Sequence, residues 1–151
     1  MDIDAIYKDS KLYKVNQAFP HCGDTAFSIP DGFNGVAVLY ENEDSAALSD
    51  DQSAFLTRVI EGGMKLKPAH VLRANMCYTD VSLQKLAEHA KAHVVIIFGL
   101  RWLDTLNNAN ISKNEVVKLY GMKVLVTDPI DVMNTNDAAK KAFWVELKKI
   151  L

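Results

Sequence analysis

Cysteine is scarce in this chain, which has only Cys22 and Cys77 among its 151 residues. Two cysteines are too few for a disulfide framework, and their separation does not match the spacing of a zinc site. A single bridge between them stays open as an alternative, but two reduced thiols are the expected state in a reducing compartment. The sequence therefore does not predict a fold held by disulfides or zinc.

An excess of positive charge and long apolar runs are also missing. The chain has 17 Lys and Arg against 19 Asp and Glu, a net charge of −2, whereas nucleic-acid-binding domains are usually basic. The longest apolar run, Val94 to Phe98, is far shorter than the roughly 20 residues of a membrane span. The acidic start, residues 1–8, lacks the apolar segment of a signal peptide. We expect a cytoplasmic protein without membrane association or strong direct binding to nucleic acid.

Apolar material is present in the proportion that an ordinary globular domain needs. Hydrophobic residues make up 49% of the chain and charged residues 24%, a typical balance. A chain of this length buries roughly 68–70% of its unfolded surface, which is enough for a stable core. We predict one α/β domain over residues 1–151, in which residues 1–34 form an N-terminal arm with one short helix or edge strand.

Strand patterns recur along the rest of the chain. Continuous apolar runs are typical of strands that are covered on both faces. Arg73 and Asn75 make the second strand more polar, which favours the edge of a sheet. Residues 116–120 fit either a strand or a helical turn. The predicted strands are 36–40, 70–75, 93–98 and 123–126.

Helix patterns alternate with these strands. Ser49 and Gln52 fit a capping box, and Gly62 and Gly63 end that helix. The last helix is expected to start after a cap at Asn134 or Thr135. Its apolar stripe is formed by Ala139, Phe143, Leu147 and Ile150. The predicted helices are 49–61, 81–91 and the segment from residue 134 or 135 to residue 150.

This alternation predicts an α/β fold of the three-layer α/β/α sandwich type, with a four-stranded, mainly parallel sheet. Right-handed crossovers give the strand order 2-1-3-4. The sheet then reverses between strands 1 and 3, and a crevice for a ligand or partner is expected at their carboxyl ends. The residues predicted to line it are Tyr40, Glu41, Asn42, Glu43, Gly99, Arg101, Trp102, Thr127, Asp128 and Pro129.

The loop after the first strand, residues 41–48, has no glycine and three acids. It would repel phosphate, which argues against a Rossmann or P-loop nucleotide site. Glu41, Glu43, Asp44 and Asp128 fit a cation site, but we favour a solvated loop with helix-capping charge. No catalytic residue, metal or cofactor is predicted from this loop.

Histidine and cysteine do not form a recognisable catalytic pattern either. His21, Cys22 and Asp24 lie together in the arm, but a metal site needs further ligands, and the other histidines are scattered over separate elements. No local signature supports a Cys–His nucleophile pair. Arg101 and Trp102 fit two roles equally well. They could form a binding hot spot, or Trp102 could pack over the end of the sheet while Arg101 pairs with the acidic loop.

Three stretches carry a resemblance to a known family. Ala26-Phe27-Ser28-Ile29-Pro30 leads into the first strand, and that strand is followed by an acidic loop with Leu48 and the helix 49–61. Val124 to Pro129 then precedes the last helix with its Ala-Phe-Trp-x-x-Leu ending. The chain resembles the psi subunits of the bacterial DNA polymerase III clamp-loader assembly, which have a uracil-DNA-glycosylase-like fold without the glycosylase activity.

The resemblance implies an adaptor that bridges the clamp loader and an accessory subunit. The enzymes of the glycosylase superfamily carry a Gly-Gln-Asp-Pro-Tyr-type motif and a His-Pro-Ser-type motif. The matching positions 40–44 and 127–131 here lack both patterns, so base excision is not expected. The alternative is a small enzyme or ligand binder that uses the crevice, as a divergent member of that superfamily.

In the psi family the N-terminal arm engages the loader. Here the arm would be about residues 1–28, and its partner would be a protein, such as a clamp-loader subunit. The alternative is that its apolar residues simply cover the edge of the sheet. The apolar anchors expected in the arm are Ile3, Ile6, Tyr7, Leu12, Tyr13 and Phe19.

Overall fold

The structure is a computed structural model, and it describes residues 25–42, 48–100 and 112–150. Apolar, β-branched segments form its strands, and most of these strands begin or end within two residues of the predicted bounds. The strands are β1 (Thr25–Ala26), β2 (Val36–Tyr40), β3 (Leu72–Asn75), β4 (Thr79–Asp80), β5 (Val94–Phe98), β6 (Val116–Leu119) and β7 (Met122–Thr127).

The helices connect the strands and are partly wound more loosely than an α-helix. Helix α1 continues as a π-helical segment over Arg58–Gly63, and α2 continues in the same way over Leu86–Ala90. A short 3₁₀ turn covers Pro68–His70. Strand β3, the second strand predicted from the sequence, therefore begins at Leu72 and not at residue 70. The α-helices are α1 (Asp50–Thr57), α2 (Leu83–Lys85), α3 (Ile130–Thr135) and α4 (Asp137–Ile150).

The main sheet has five strands in the order β3-β2-β5-β7-β6. The first four are mutually parallel, and β6 pairs antiparallel with β7. The predicted α/β class and mainly parallel sheet are confirmed. The predicted count of four strands is wrong and the order differs from 2-1-3-4, because β6 adds an edge strand. The short strands β1 and β4 pair separately, in parallel.

A tight turn at Tyr120 and Gly121 joins strand β6 to β7. Tyr120 and Gly121 both have positive φ, 51° and 80°, which is the backbone of a two-residue hairpin with the twist that strands favour. Three of the four β6 side chains are only half-buried, so the strand lacks a strong apolar run. Residues 116–120 therefore remained ambiguous in the sequence, and pairing with β7 decides in favour of the strand.

Apolar side chains cover both faces of the sheet, which explains why its central strands are continuously apolar. Alternate residues of each strand point to opposite faces. One core cluster joins the sheet to α2 and includes Leu39, Leu83, Leu86, Ile97 and Val126. The other joins it to α1, α3 and α4 and includes Val38, Phe55, Phe98, Met133 and Phe143.

The helix caps agree with the sequence at α1 and differ at α4. Ser49 and Gln52 form the predicted capping box. The last helix is capped by Asn136, whose Oδ1 accepts a hydrogen bond from Ala139 N at 3.1 Å. A cap at Asn134 or Thr135 is wrong, because both residues belong to α3. Asn and Thr are weak helix formers, so the sequence did not predict this short helix.

Several predictions fall outside the described residues. These include the loop residues Glu43 and Asp44 and the pair Arg101 and Trp102. The arm is described only from Thr25, where β1 supplies the short strand that was one of the two expectations. In the described part of the chain, no helix combines the length and apolar character needed to cross a membrane.

Candidate functional site

The position predicted for the crevice is the place where two central strands end side by side. Strands β2 and β5 are parallel neighbours, with Tyr40 opposite Phe98, and Phe98 is opposite Thr127 of β7. From β2 the chain crosses to one edge of the sheet and then returns to β5 on the other side, so the strand order reverses here. The carboxyl ends at such a reversal are the usual place for a ligand in an open α/β sheet.

The structure brings most of the predicted crevice residues to this edge of the sheet. They end, or directly follow, neighbouring strands whose carboxyl ends are aligned by the register. The residues placed there are Tyr40, Glu41, Asn42, Gly99, Thr127, Asp128 and Pro129. Glu43, Arg101 and Trp102 and the six arm anchors Ile3, Ile6, Tyr7, Leu12, Tyr13 and Phe19 lie outside the described residues.

The side chain of Glu41 lies across the backbone of Gly99. A Cβ atom at Gly99 would lie only 2.5 Å from Cδ and 2.8 Å from Oε2 of Glu41, and this Oε2 is buried. The Gly99 N–H donates to the carbonyl of Thr127 at 2.9 Å. Because residue 99 has no side chain, a carboxylate occupies the space between the ends of β2 and β5.

Gly99→Ala is therefore expected to lower the free energy of unfolding by about 1–3 kcal/mol, the usual cost of overpacking. The colliding atoms belong to Glu41, so adding Glu41→Ala to this variant should recover part of the loss. Urea unfolding of the three proteins measures both effects.

Gly62→Ala is the matched control, because a Cβ there meets no atom within 4 Å. It should leave stability unchanged or raise it by about 0.5–1 kcal/mol. If Gly99→Ala were as stable as Gly62→Ala, the close packing of Glu41 on Gly99 would be refuted.

Asn75 holds the start of the loop that follows β2. Its Oδ1 accepts from the N–H groups of Asn42 at 3.2 Å and of Cys77 at 3.0 Å. Its Nδ2 donates to the Asn42 carbonyl at 3.0 Å, and the residue is only 4% exposed. The sequence had indicated only that Asn75 lies on an edge strand. The sequence did contain one indication that Asn75 could hold this loop, namely its polar side chain at the carboxyl end of the strand predicted to lie beside β2.

Gln52 connects the same loop to the other side of the crevice. Its Oε1 accepts from Ser49 N at 2.9 Å and from Asn42 Nδ2 at 3.5 Å. Its Nε2 donates to Asp131 Oδ1 at 2.8 Å. The capping residue of α1 therefore also links β2 to α3, which sequence reasoning did not predict.

Asp128 is a buried carboxylate with a basic partner. It is 7% exposed, and Lys113 Nζ lies 3.3 Å from its Oδ1. The neighbouring Thr127 Oγ1 donates to Asn114 Oδ1 at 2.6 Å. Burying a charge is costly unless it is paired, so Lys113 compensates the charge of Asp128 at the end of β7.

Tyr40 is the described crevice residue whose hydroxyl has a clearly altered acidity. Burial raises the pKa of this hydroxyl above its ordinary value of 10.0, and the Arg73 guanidinium opposes part of the rise. Burial disfavours the phenolate, whereas a nearby positive charge favours it. The net result is a tyrosine that stays neutral to higher pH in the folded protein than in the unfolded chain.

Tyr40 should therefore contribute to alkaline unfolding. Above pH about 10 the unfolded chain loses this proton first, so the free energy of unfolding falls with rising pH until the folded pKa is passed. Tyr40→Phe lacks the group. We expect the stability of the wild type relative to Tyr40→Phe to decrease between pH about 9 and 11 in urea titrations. A constant difference over that range would contradict the assignment.

The other groups considered for chemistry are not brought together. Over residues 25–42, 48–100 and 112–150, no three His, Cys, Asp or Glu side chains are grouped so that they could hold a metal ion. Cys77 is half-buried, while Cys22, His21 and Asp24 lie outside the described residues. A cation site at Glu41, Glu43, Asp44 and Asp128 was the less favoured alternative to a solvated loop, and the structure describes only Glu41 and Asp128 of these four residues.

Chemically, this edge of the sheet presents carboxylates and amides that bond to neighbouring parts of the protein. Asn75 and Gln52 fix the loop after β2, and Asp128 is paired with Lys113. These contacts hold the strand ends and the loop after β2 in place. In comparisons with known proteins, no family model matches the chain, and no curated protein gives a significant match.

Proposed function

We propose that this chain is a non-catalytic adaptor of the DNA replication machinery, similar to the psi subunit of bacterial DNA polymerase III, which bridges the clamp loader and an accessory subunit. The proposal includes the finer description of the fold, a three-layer α/β/α sandwich of the uracil-DNA-glycosylase type. It starts from the sequence resemblance. The structural observation that carries it is the packing of Glu41 against Gly99.

That packing argues for an adaptor because it occupies the place where a ligand would enter. A small-molecule or base-binding site is a concave pocket with a few polar groups left to contact the ligand. Here a carboxylate lies over the glycine between the two strand ends, and the amide of Asn75 is bonded to Asn42. These groups stabilise the crevice itself.

The charge at the ends of the strands also disfavours base excision. Asp128 lies in the stretch 127–131, which the resemblance matches to the His-Pro-Ser-type motif of the glycosylases, and its partner is Lys113. Glu41 adds a second carboxylate at the neighbouring strand. Phosphate groups of DNA are attracted by Lys and Arg, but Lys113 is already paired with Asp128 and Glu41 is acidic, so this edge offers little attraction for a DNA strand.

A pull-down with the full chain and the individual clamp-loader subunits tests the adaptor role. We expect at least one subunit to be retained, and we expect the double variant Ile6→Ser/Tyr7→Ser to weaken retention, since apolar arm anchors are the proposed contact. Val145→Ser is the matched control, because Val145 is an apolar residue on α4 that is 56% exposed. It should bind as the wild type does.

Retention of none of the subunits would remove the adaptor proposal. A second assay addresses the enzymatic alternative, with a uracil-containing DNA strand as the substrate. Excision of uracil that is lost in Glu41→Ala or Asp128→Ala would replace the adaptor role with a glycosylase-type activity.

A further inference from the structure

The two ends of the main sheet carry opposite charge. At the carboxyl ends of the parallel strands, the loops and helix starts are acidic. At the amino ends, exposed lysines are the larger group, although Glu61 and Glu88 lie on the same helix ends and Lys149 is paired with Glu146 at 2.8 Å. The acidic set is Glu41, Asp50, Asp51, Glu115, Asp128, Asp131 and Asp137, and the basic set is Lys65, Lys67, Lys91, Lys118, Lys123, Lys148 and Lys149.

The packing places the end of α4 with the basic set. The helical run that starts with α1 begins after β2 and ends at Gly63, at the amino end of the sheet. A Cβ at Gly63 would lie 2.8 Å from Leu147 Cδ2, so the last part of α4 lies beside Gly63. Lys65 and Lys67 follow this point in the chain, and Lys148 and Lys149 follow Leu147.

The β6–β7 hairpin carries the clearest feature of this basic end. Lys118 and Lys123 are direct cross-strand partners, and both are exposed. Like charges in that position repel each other. Within the described part of the chain, neither lysine has a carboxylate partner, so an anion bound between them would relieve the repulsion.

The turn of the same hairpin exposes an aromatic ring. Tyr120 is 59% exposed, and its φ of 51° is left-handed. Hairpin turns of this kind favour Asn, Asp or Gly, because a left-handed backbone costs other residues energy. Turn formation therefore does not explain the tyrosine, whereas presentation of an exposed ring in the turn next to the Lys118–Lys123 pair does.

We propose that the hairpin from Lys118 to Lys123 binds single-stranded nucleic acid. One base stacks on Tyr120, and Lys118 and Lys123 contact the adjacent phosphates. Proteins that bind single strands combine these two elements, an aromatic platform and flanking positive charge. An acidic peptide would use the lysines but not the ring, and the paired bases of a duplex are not free to stack. This surface goes beyond the adaptor role and does not depend on it.

The test is fluorescence anisotropy of a labelled oligo-dT strand with the full chain, over a series of salt concentrations starting at low ionic strength. Lys118→Ala/Lys123→Ala should weaken binding and reduce the slope of log K against log salt by about 1.4, or about 0.7 for each phosphate contact. Tyr120→Asn should weaken binding about fivefold or more through lost stacking. Tyr120→Phe should bind like the wild type.

Two controls separate this site from general charge and from misfolding. Lys140→Ala/Lys141→Ala removes the same charge from the first half of α4 and should leave both affinity and salt slope nearly unchanged. Tyr120→Asn suits the left-handed turn, so its thermal unfolding midpoint should be at least that of the wild type. The site is refuted if the two lysine pairs have equal effects or if Tyr120→Asn binds normally. Binding of a poly-glutamate peptide but not of oligo-dT would also refute it, in favour of an acidic protein partner.

Discussion

Phe98→Ala is expected to lower the free energy of unfolding by about 3–5 kcal/mol, the usual cost of removing a buried aromatic side chain. Phe98 is fully buried at the end of β5. Its ring lies 5.7 Å from that of Phe55 in an edge-to-face arrangement and 5.2 Å from that of Phe143. Its removal leaves a cavity between the sheet, α1 and α4, and urea unfolding followed by circular dichroism measures the loss.

Two further variants calibrate that result. Phe98→Leu keeps much of the apolar volume and should cost less than Phe98→Ala, since it loses mainly the ring contacts. Val145→Ala changes an exposed residue of α4 and should stay within about 0.5 kcal/mol of the wild type. A loss below about 1 kcal/mol for Phe98→Ala would contradict the position of this ring in the core.

Asn75→Ala should be the most damaging substitution of a polar residue at the crevice, with an expected loss of about 1.5–4.5 kcal/mol in the free energy of unfolding. The estimate counts three hydrogen bonds at about 0.5–1.5 kcal/mol each. Those bonds join Asn75 to the backbone of Asn42 and Cys77. Urea unfolding measures the total loss, and hydrogen exchange should show faster exchange at the Asn42 and Cys77 amides.

Asn75→Asp separates the contribution of these hydrogen bonds from that of side-chain packing, because the Asp side chain has almost the same shape as the Asn side chain. Its carboxylate can accept from the two N–H groups, but it faces the Asn42 carbonyl with a second acceptor. Protonation restores a donor, so the folded site favours the neutral acid more than the unfolded chain does. The stability of the variant relative to the wild type should therefore rise as the pH falls from neutral, and it should level off below about 4, the ordinary pKa of Asp in the unfolded chain. A variant as stable as the wild type at neutral pH would refute the donor role of Nδ2.

Much of the fold could be predicted because its signals are local. Val36–Tyr40 and Val94–Phe98 are apolar at every position, which indicates strands with both faces covered, and the structure pairs them in parallel. Ser49 and Gln52 are three residues apart, so the capping box of α1 depends only on near neighbours. The helical stripe of Phe143, Leu147 and Ile150 is buried as its spacing predicts.

The differences arise where structure depends on partners distant in the chain. Strand β6 is half-buried and becomes a strand by pairing with β7, and helix α3 displaces the expected cap of the last helix to Asn136. The role of Asn75 depends on contact with Asn42, 33 residues away. No periodicity along the chain reports such a contact.

The amino-acid sequence alone determined the α/β class, the central strands and the placement of the sheet reversal, because these follow from hydrophobic pattern and chain connectivity. Only the tertiary structure decided that Glu41 closes on Gly99, since those residues meet only when β2 lies beside β5. It also decided the distribution of charge. A net charge of −2 is a sum over the chain, whereas attraction and repulsion depend on where the charges lie, and folding separates a basic end from an acidic one.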